Sequence, residues 1–244
     1  MPSEDLYFAM SQSITPLRHG DLSPDRNPTG EALLSRSTKP FEVWIPKDRC
    51  LVLGNSQDPE KELNVDHVVR DVIPVYKRMS GGGAVLLSPG CLCLGLRFTK
   101  RNPLSIQDYF AMGSGLVQKV VGQAMGVELE SRGISDLVFQ DRKVAGCALY
   151  MPKNFVLYLV SILFEPNFAD IEKYLAHPTK EPEYRSGRTH ADFLVGLASV
   201  AKHVTSKEDL IHRFTEEISA SRKDDLDWEL CEGPASKKAG DQKV

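Results

Sequence analysis

Residues 137–164 read LVFQDRKVAGCALYMPKNFVLYLVSILF and contain three apolar, strand-like runs in immediate succession. The runs are Leu137–Phe139, Lys143–Tyr150 and Phe155–Phe164. Charged residues join the first two runs, and the turn residues Pro152–Asn154 join the second to the third. Consecutive short strands separated by tight polar turns are typical of an antiparallel meander. The stretch therefore predicts a largely antiparallel sheet.

Outside this meander, helical and strand-like segments follow one another without a strict β-α-β alternation. Helices are predicted at Thr29–Arg36, with Asn27 as N-cap, and at Glu60–Val72, Ile106–Met125, Ile171–Leu175 and Ser206–Ile218. Strands are predicted at Phe41–Ile45, Leu51–Leu53, Ile73–Tyr76, Ala84–Leu87 and Cys91–Phe98. The helix Ile106–Met125 has the clearest apolar stripe, and Ser105 with Asp108 predicts a capping box at its start. This mixture predicts an α+β fold, with a largely antiparallel or mixed central sheet flanked by helices.

The length of 244 residues and the globular composition predict one sizeable domain with polar ends. We expect an N-terminal arm at residues 1–26, a folded domain at residues 27–220 and a polar, disordered tail at residues 221–244. A net charge of −3 gives no electrostatic footprint for nucleic acid. The longest dense apolar run is too short for a bilayer, and the acidic N-terminus does not look like a secretory signal. We therefore expect a cytoplasmic protein with neither a nucleic-acid nor a membrane partner.

The five cysteines favour neither a disulfide framework nor a zinc site. They are odd in number, and the sequence has no C-x-x-C pair and no histidine at zinc-ligand spacing from a cysteine. Cys91 and Cys93 alternate with leucines, which predicts two small buried side chains on one face of a strand. The six histidines are scattered. A metal site made from the chain's own ligands is therefore not expected from these patterns.

The stretch Lys77–Val85, KRMSGGGAV, is the most unusual part of the sequence. Three successive glycines after a strand permit positive φ and let a ligand approach the backbone without a Cβ in the way. Their N–H groups can form an anion-binding nest, and Arg78 offers a bidentate fork to a phosphate or carboxylate. The loop is neither a Walker A motif nor a dinucleotide fingerprint, because no Gly-Lys-Ser/Thr and no helix follow it. A flexible hairpin connection is the alternative interpretation.

The second segment whose residues could take part in a reaction is Ser135–Ala148. Lys143 begins a strand after a charged turn, and the small residues that follow leave room beside it. A lysine in this setting can stabilise charge on a phosphate or carbonyl oxygen, although an ordinary exposed hairpin lysine is the alternative. Asp136 lies at the edge of an apolar strand. Its carboxylate is either a cap or turn partner, or a group that binds a nucleotide or a metal.

Together, the two segments resemble the lipoate–protein ligase family, within the larger group of biotin and lipoyl protein ligases and transferases. The likeness covers residues 27–215. The stretch Lys77–Val85 is similar to the family's Arg-Arg-x-Ser-Gly-Gly-Gly-Ala-Val signature. Asp136–Val138 and Arg142–Ala148 are similar to its Asp-Leu-Val and Arg-Lys-Val-Ser-Gly-Ser-Ala elements. The resemblance implies the α+β catalytic-domain fold of that family over residues 27–220.

The resemblance also implies a two-step reaction, in which lipoate and ATP form lipoyl-AMP and a lysine of an acceptor protein then takes the lipoyl group. It implies Mg²⁺ at the triphosphate and a lipoyl-domain or glycine-cleavage H-like acceptor as partner. Lys143 matches the lysine that bridges the acyl carbonyl and the adenylate phosphate, and Asp136 matches an acidic residue at the nucleotide or at Mg²⁺. The other implied binding residues are Arg78, Ser80, Gly81, Gly82, Gly83, Ala84, Val85, Ser135, Gly146, Cys147 and Ala148. Of these, Val85 and Ala148 are expected to line a slot for the aliphatic tail.

The chain departs from the family pattern at several places. Leu87-Ser88 stands where ligases carry a His-Asp pair, and Phe155–Leu159 lacks the histidine that they often have. Cys147 replaces a serine, and no C-terminal accessory domain is recognisable, so a separate accessory subunit is a candidate partner. These departures leave two alternatives open. One is an ATP-independent octanoyl or lipoyl transferase with Cys147 as thioester nucleophile, and the other is a catalytically weak binding homologue.

Overall fold

The computed structural model describes residues 15–16, 34, 40–100 and 104–221 of the chain. The predicted arm at residues 1–26, the predicted helix Thr29–Arg36 and the predicted tail at residues 221–244 lie outside the described residues, apart from three short pieces. Thr15–Pro16 form a strand, Leu34 is helical and buried, and Ser221 ends the last helix. None of the helices in the described ranges combines the length and the hydropathy that a bilayer span requires.

The described strands form two sheets. In chain order the strands are β1 Thr15–Pro16, β2 Phe41–Trp44, β3 Cys50–Leu53, β4 Val75–Lys77, β5 Val85–Leu87, β6 Cys91–Thr99, β7 Glu130–Arg132, β8 Asp136–Phe139, β9 Arg142–Tyr150 and β10 Phe155–Leu163. The larger sheet has the order β2-β6-β10-β9-β8-β7, and every neighbouring pair in it is antiparallel. The meander predicted from residues 137–164 is therefore confirmed as β8-β9-β10.

The smaller sheet has the order β1-β4-β3-β5. Strands β1 and β3 run parallel to β4, and β5 runs antiparallel to β3. An apolar cluster that includes Val52, Leu87 and Cys93 takes residues from β3 and β5 of this sheet and from β6 of the larger one. The predicted α+β class with antiparallel and mixed pairing is confirmed, although the strands divide into two sheets rather than one central sheet.

The helices are α1 Pro59–Glu62, α2 Val65–Arg70, α3 Ile106–Met125, α4 Phe168–Tyr174, α5 His190–Phe193, α6 Leu197–Val200 and α7 Lys207–Ser221. The long helix α3 begins with the predicted capping box: the Asp108 N–H donates to Ser105 Oγ at 3.1 Å, and the Ser105 N–H donates to Asp108 Oδ2 at 2.8 Å. Gly126 ends it in the left-handed conformation, with φ of 67°. The buried face of α3 packs in the main core with the antiparallel sheet and α7.

The single helix predicted at Glu60–Val72 is wrong, because the segment breaks between α1 and α2. Leu63 forms an isolated bridge with Leu175, and the Asn64 N–H donates to the Tyr174 carbonyl at 2.9 Å. The Asn64 side-chain amide also donates to the carbonyls of residues 172, 173 and 175 at the end of α4. Because Asn64 caps the end of α4, its backbone does not continue the helix. This contact joins segments that are distant in sequence, so the spacing of apolar residues around Asn64 does not predict it. The short elements β1, β7, α5 and α6 were also not predicted.

Candidate functional site

Five residues of the antiparallel sheet lie in one row on one face. Asp136 is paired with Gly146, Gly146 with Ser161, Ser161 with Cys93, and Cys93 with Trp44. Directly paired residues of neighbouring strands point to the same side of a sheet. The row therefore crosses β8, β9, β10, β6 and β2 on a single face. Cavities that border this row also border the glycine-rich segment, so the two parts of the chain face one site.

Lys143 reaches the same face because β9 contains a β-bulge. Leu137 is paired with Ala145, whereas the next residue, Val138, is paired with Lys143, so Val144 is the extra residue. In a regular strand, residues 143 and 146 would point to opposite faces. The bulge brings both to one side, and re-aiming a side chain next to a site is a recurrent use of such irregularities.

The Lys143 ammonium is held in a defined position. Its Nζ lies 2.6 Å from Asp136 Oδ1, and the Tyr184 hydroxyl donates to Asp136 Oδ2 at 2.8 Å. A Cβ on Gly146 would stand 3.1 Å from Nζ, so the glycine leaves the ammonium its room. The Asp136 side chain is 9% exposed and the Lys143 side chain 25%. A charge-assisted pair in such a sheltered place is strong and directional, and it keeps a positive charge at the floor of the site.

The glycine-rich loop is shaped by Arg78 rather than left flexible. The guanidinium donates to the Gly81 carbonyl at 2.7 Å and to the Gly83 carbonyl at 2.9 Å, and it is almost fully buried. Gly82 lies between these carbonyls with a φ of 99°, a conformation that only glycine adopts freely. The loop is also tied to the end of β3, where the Asn55 N–H donates to the Ser80 carbonyl at 3.0 Å. The role of Arg78 as a phosphate ligand stays a prediction.

Two adjoining cavities meet at Lys143. The larger measures about 1030 Å³ and is bordered by the glycine loop, by α1 and by residues 176–185. The smaller measures about 110 Å³ and runs between apolar side chains, among them Val52, Leu87 and Leu159. The residues shared by both cavities are Gly82, Gly83, Ala84, Val85, Ser135, Lys143, Gly146 and Ser161. The lysine therefore stands where a roomy compartment narrows into an apolar slot.

Most of the predicted site residues come together around this junction. Asp136 borders the large cavity, and Arg78, Cys147 and Ala148 border the slot. Ser80 and Gly81, in contrast, line neither cavity, and Ser80 is buried behind the loop. Their backbones help to shape the loop, since the Ser80 carbonyl accepts from the Asn55 N–H and the Gly81 carbonyl accepts from Arg78.

The thiol of Cys147 does not face Lys143. Cys147 is paired with Val160, whereas its neighbour Gly146 is paired with Ser161. Successive residues of a strand point to opposite faces, so the Cys147 side chain lies on the other face of the sheet from that row. Its Sγ shares a hydrogen bond with the Tyr158 hydroxyl at 3.0 Å and lies 4.0 Å from Ser114 Oγ on α3. Burial raises the pKa of this thiol to about 11, so it is protonated at neutral pH. A buried thiol with a raised pKa is a poor nucleophile.

Several residues of the site were not predicted, and they come from the loop after α4 and from the start of α5. Tyr184, Arg185 and His190 all border the large cavity. Arg185 is buried, donates from Nε to the Arg188 carbonyl at 3.0 Å and lies 3.4 Å from Glu181 Oε2. Burial lowers the pKa of His190, whose Nε2 lies 3.1 Å from the Ala176 carbonyl oxygen. The sequence signal that could have indicated these residues is the cluster of Tyr, Arg and His side chains in a segment without helical or strand periodicity.

A magnesium site held by the protein alone does not fit the described residues. Both Asp136 oxygens already have partners, Lys143 on one side and Tyr184 on the other. No group of three or more His, Cys, Asp or Glu side chains within the described ranges is arranged to hold a metal ion. The role predicted for Asp136 as a Mg²⁺ ligand therefore gains no support from the geometry.

Comparison with known proteins gives consistent findings. A family model described as "Lipoyl protein ligase A/B catalytic domain" matches residues 31–219. A "Probable lipoate-protein ligase A" of Mycoplasma pneumoniae is 30% identical over an alignment of 149 residues that covers 59% of this chain and 43% of that protein. The chain thus spans less than half the length of this curated relative.

Two solved structures share the fold. One is the "bi-partite lipoate protein ligase" of Thermoplasma acidophilum, with a TM-score of 0.59 and 19% identity, covering 73% of this chain and 71% of that one. The other is "lipoate-protein ligase A bound with ATP", with a TM-score of 0.60 and 20% identity, covering 84% of this chain and 83% of that one. At these identities, the likeness establishes a common fold.

Proposed function

Because this chain belongs to the lipoyl protein ligase A/B catalytic domain family, we propose that it is an ATP-dependent lipoate–protein ligase. In the first step, a lipoate carboxylate oxygen attacks the α-phosphate of ATP, which forms lipoyl-AMP and releases pyrophosphate. In the second step, a neutral lysine amine of an acceptor protein attacks the acyl carbonyl. An amide bond forms, AMP leaves, and the amine loses its proton. The chain would supply charge and alignment for both steps.

The observation that carries the proposal is the position of the Lys143 ammonium. It stands at the junction of the two cavities, 2.6 Å from Asp136, and lies over Gly146, where a Cβ would stand 3.1 Å from Nζ. A positive charge at that point can contact the acyl carbonyl oxygen and the adjoining phosphate at once. A fixed charge aimed at developing negative charge stabilises a transition state more than a ground state. The same ammonium therefore serves adenylation and transfer.

The two compartments fit the two halves of an acyl-adenylate. The slot between the sheets has apolar walls, including Val85 and Ala148, that suit an aliphatic chain. Each buried methylene contributes about 0.8 kcal/mol of binding. The larger cavity has the volume for a nucleotide, and the N–H groups of the glycine loop supply donors for phosphate oxygens.

The departure from the family pattern at Leu87-Ser88 begins at the wall of the slot. Leu87 is a buried wall of the slot, and Ser88 forms a turn in which its Oγ accepts from the Gly90 N–H at 3.2 Å. Neither position provides a titratable group. Lys143 is then the one cation among the residues shared by the two cavities, so the chemistry depends on it more heavily.

A lipoyl-domain protein is the proposed acceptor, and a separate accessory subunit is a second proposed partner. The neighbour from Thermoplasma acidophilum is described as bi-partite and was studied with its E2 lipoyl domain. This chain matches that neighbour over 71% of its length. A matching division of labour here predicts that transfer to the acceptor improves when the accessory subunit is added. Mg²⁺ is expected to arrive with the nucleotide rather than with the protein.

The thioester transferase is the weaker candidate. It would need the Cys147 thiolate at the acyl carbonyl, but that thiol lies on the α3 side of the sheet and has a raised pKa. A binding homologue without catalysis is the other candidate, since the family histidines are absent. The experiment below separates the transferase from the ligase, and lipoyl-AMP formation would exclude the binding homologue.

The test is mass spectrometry of products from lipoate, ATP and Mg²⁺, with and without a lipoyl-domain acceptor. A parallel reaction contains an octanoyl carrier protein and no ATP. Lipoyl-AMP in the first reaction supports the ligase, whereas a protein-bound acyl group without ATP supports the transferase. Lys143→Ala should abolish lipoyl-AMP, and Lys119→Ala is the control, because Lys119 pairs with Glu217 at the surface. Undiminished turnover by Lys143→Ala would exclude the proposed mechanism.

A further inference from the structure

The Asp136–Lys143 pair continues to a hydroxyl group that the proposed reaction leaves without a role. Tyr184 lies in the short turn Glu183–Arg185, within the loop that borders the large cavity. Its hydroxyl donates to Asp136 Oδ2 at 2.8 Å, while Asp136 Oδ1 lies 2.6 Å from Lys143 Nζ. The three side chains therefore form a linear series from the loop to the ammonium.

The Tyr184 ring is itself held in place. Its centroid lies 5.2 Å from that of Phe193, in a tilted arrangement, and the Arg132 guanidinium stands 5.7 Å over the ring. The backbone is fixed as well, since Arg188 Nη2 donates to the Tyr184 carbonyl at 2.8 Å. Contacts to both the ring and the backbone of Tyr184 thus fix the position of the hydroxyl that donates to Asp136.

We propose that Tyr184 is a positioning residue, which fixes the Asp136 carboxylate so that the carboxylate holds the Lys143 ammonium over Gly146. This inference rests on the proposed function of Lys143. An aspartate carboxylate rotates over a broad range about its last torsion, and a lysine has a flexible four-carbon stem. Without a second anchor, neither partner defines where the ammonium stands. Alignment of this kind governs rate more than affinity.

The chain contains a matched control for this arrangement. The Tyr174 hydroxyl donates to Asp71 Oδ2 at 2.9 Å, and Lys173 Nζ lies 2.6 Å from the same oxygen. These are the same three residue types, again with aspartate between tyrosine and lysine, although Arg70 Nε also contacts Asp71 Oδ1 at 3.1 Å. None of the three borders either cavity. Tyr174→Phe therefore removes an equivalent hydrogen bond at a distance from the site.

The experiment compares Tyr184→Phe with Tyr174→Phe by two measurements. The first is single-turnover formation of lipoyl-AMP, for which we expect Tyr184→Phe to lower the rate about tenfold with little change in KM. The second needs no turnover: an amine-directed acylating reagent modifies the lysines of the substrate-free protein, and mass spectrometry gives the rate at Lys143. A loosened ammonium should react faster in Tyr184→Phe, by about threefold, and at the wild-type rate in Tyr174→Phe.

A third measurement shows whether Tyr184 acts through Asp136. In an Asp136→Asn background, Tyr184→Phe should cause no further loss of rate, as expected for two residues on one path. Equal effects of the two tyrosine variants, an unchanged labelling rate at Lys143, or a full tenfold loss in the Asp136→Asn background would each overturn the inference. If the wild type forms no lipoyl-AMP, the proposed function fails, and the labelling rates alone decide the role of Tyr184.

Discussion

Gly54, at the end of β3, offers the sharpest test of how the glycine loop is positioned. A Cβ at residue 54 would overlap the Gly82 carbonyl oxygen and stand 3.2 Å from the Gly82 carbonyl carbon. Gly54 is not among the residues with positive φ, so its backbone conformation is open to alanine. Gly54→Ala is therefore a purely steric perturbation, directed at the most unusual residue of the loop.

The size of the effect follows from these contacts. Carbon atoms pack best at about 3.5–4.0 Å, so the Gly82 carbonyl carbon must retreat by roughly half an ångström. The oxygen lies in front of it and must move further, which gives a loop displacement of about 1 Å. A misplacement of that size in a catalytic site costs about 100-fold in rate. The overlap should also lower the free energy of unfolding by about 1–3 kcal/mol.

The assay is the rate of lipoyl-AMP formation, with chemical denaturation in parallel. Gly115→Ala is the control, because a Cβ at that exposed position on α3 meets nothing within 4 Å. It should leave the rate unchanged and stabilise the helix by about 0.5–1 kcal/mol. A Gly54→Ala protein that keeps wild-type activity would refute the link between β3 and the loop. Wild-type activity per folded molecule, with the whole loss explained by the unfolded fraction, would refute it too.

Three further predictions follow. Cys147→Ser should keep lipoyl-AMP formation within about threefold, since a hydroxyl preserves the bond to Tyr158; total loss in a folded protein, seen in the same assay, would favour a thioester. Val72→Gly should raise the free energy of unfolding by about 1 kcal/mol in a denaturant titration, because Val72 is 83% exposed and has a φ of 52° after α2. Burial lowers the pKa of His190 relative to the unfolded chain, so the unfolded state binds the proton more readily and stability falls as the pH drops below about 6.5. Thermal melts should therefore show a smaller fall in Tm on acidification for His190→Gln than for the wild type; equal falls would contradict this assignment.

Local patterns determined a large part of the architecture in advance. The apolar stripe of α3, its capping box and the alternation of β8–β10 depend on near neighbours, and all of them are confirmed. The glycine run and the Arg142–Ala148 segment, both singled out from the sequence, also lie on two sides of the same cavities. Such features can be read from sequence because capping, turn chemistry and periodicity act over a few residues.

Tertiary contacts decided on which face of the sheet the side chains of Lys143 and Cys147 lie. Strict alternation would have placed Lys143 away from Gly146, and only the bulge at Val144, read from the strand register, brings them to one face. The orientation of the Cys147 thiol toward α3 depends on the same register. No local signal specifies that one strand of a hairpin carries an extra residue.

The sequence by itself determined the class of fold, the long helix α3 and the strands of the meander, and its resemblance to a family singled out Lys143 as a candidate. Only the tertiary structure joined Tyr184 to Asp136 across 48 residues, turned Arg78 inward onto the glycine loop and broke a helix so that Asn64 caps α4. The physical reason is that these hydrogen bonds form between segments brought together by packing. Which groups become partners depends on the loops that bring distant segments together, and the spacing of residues along the sequence does not reveal those contacts.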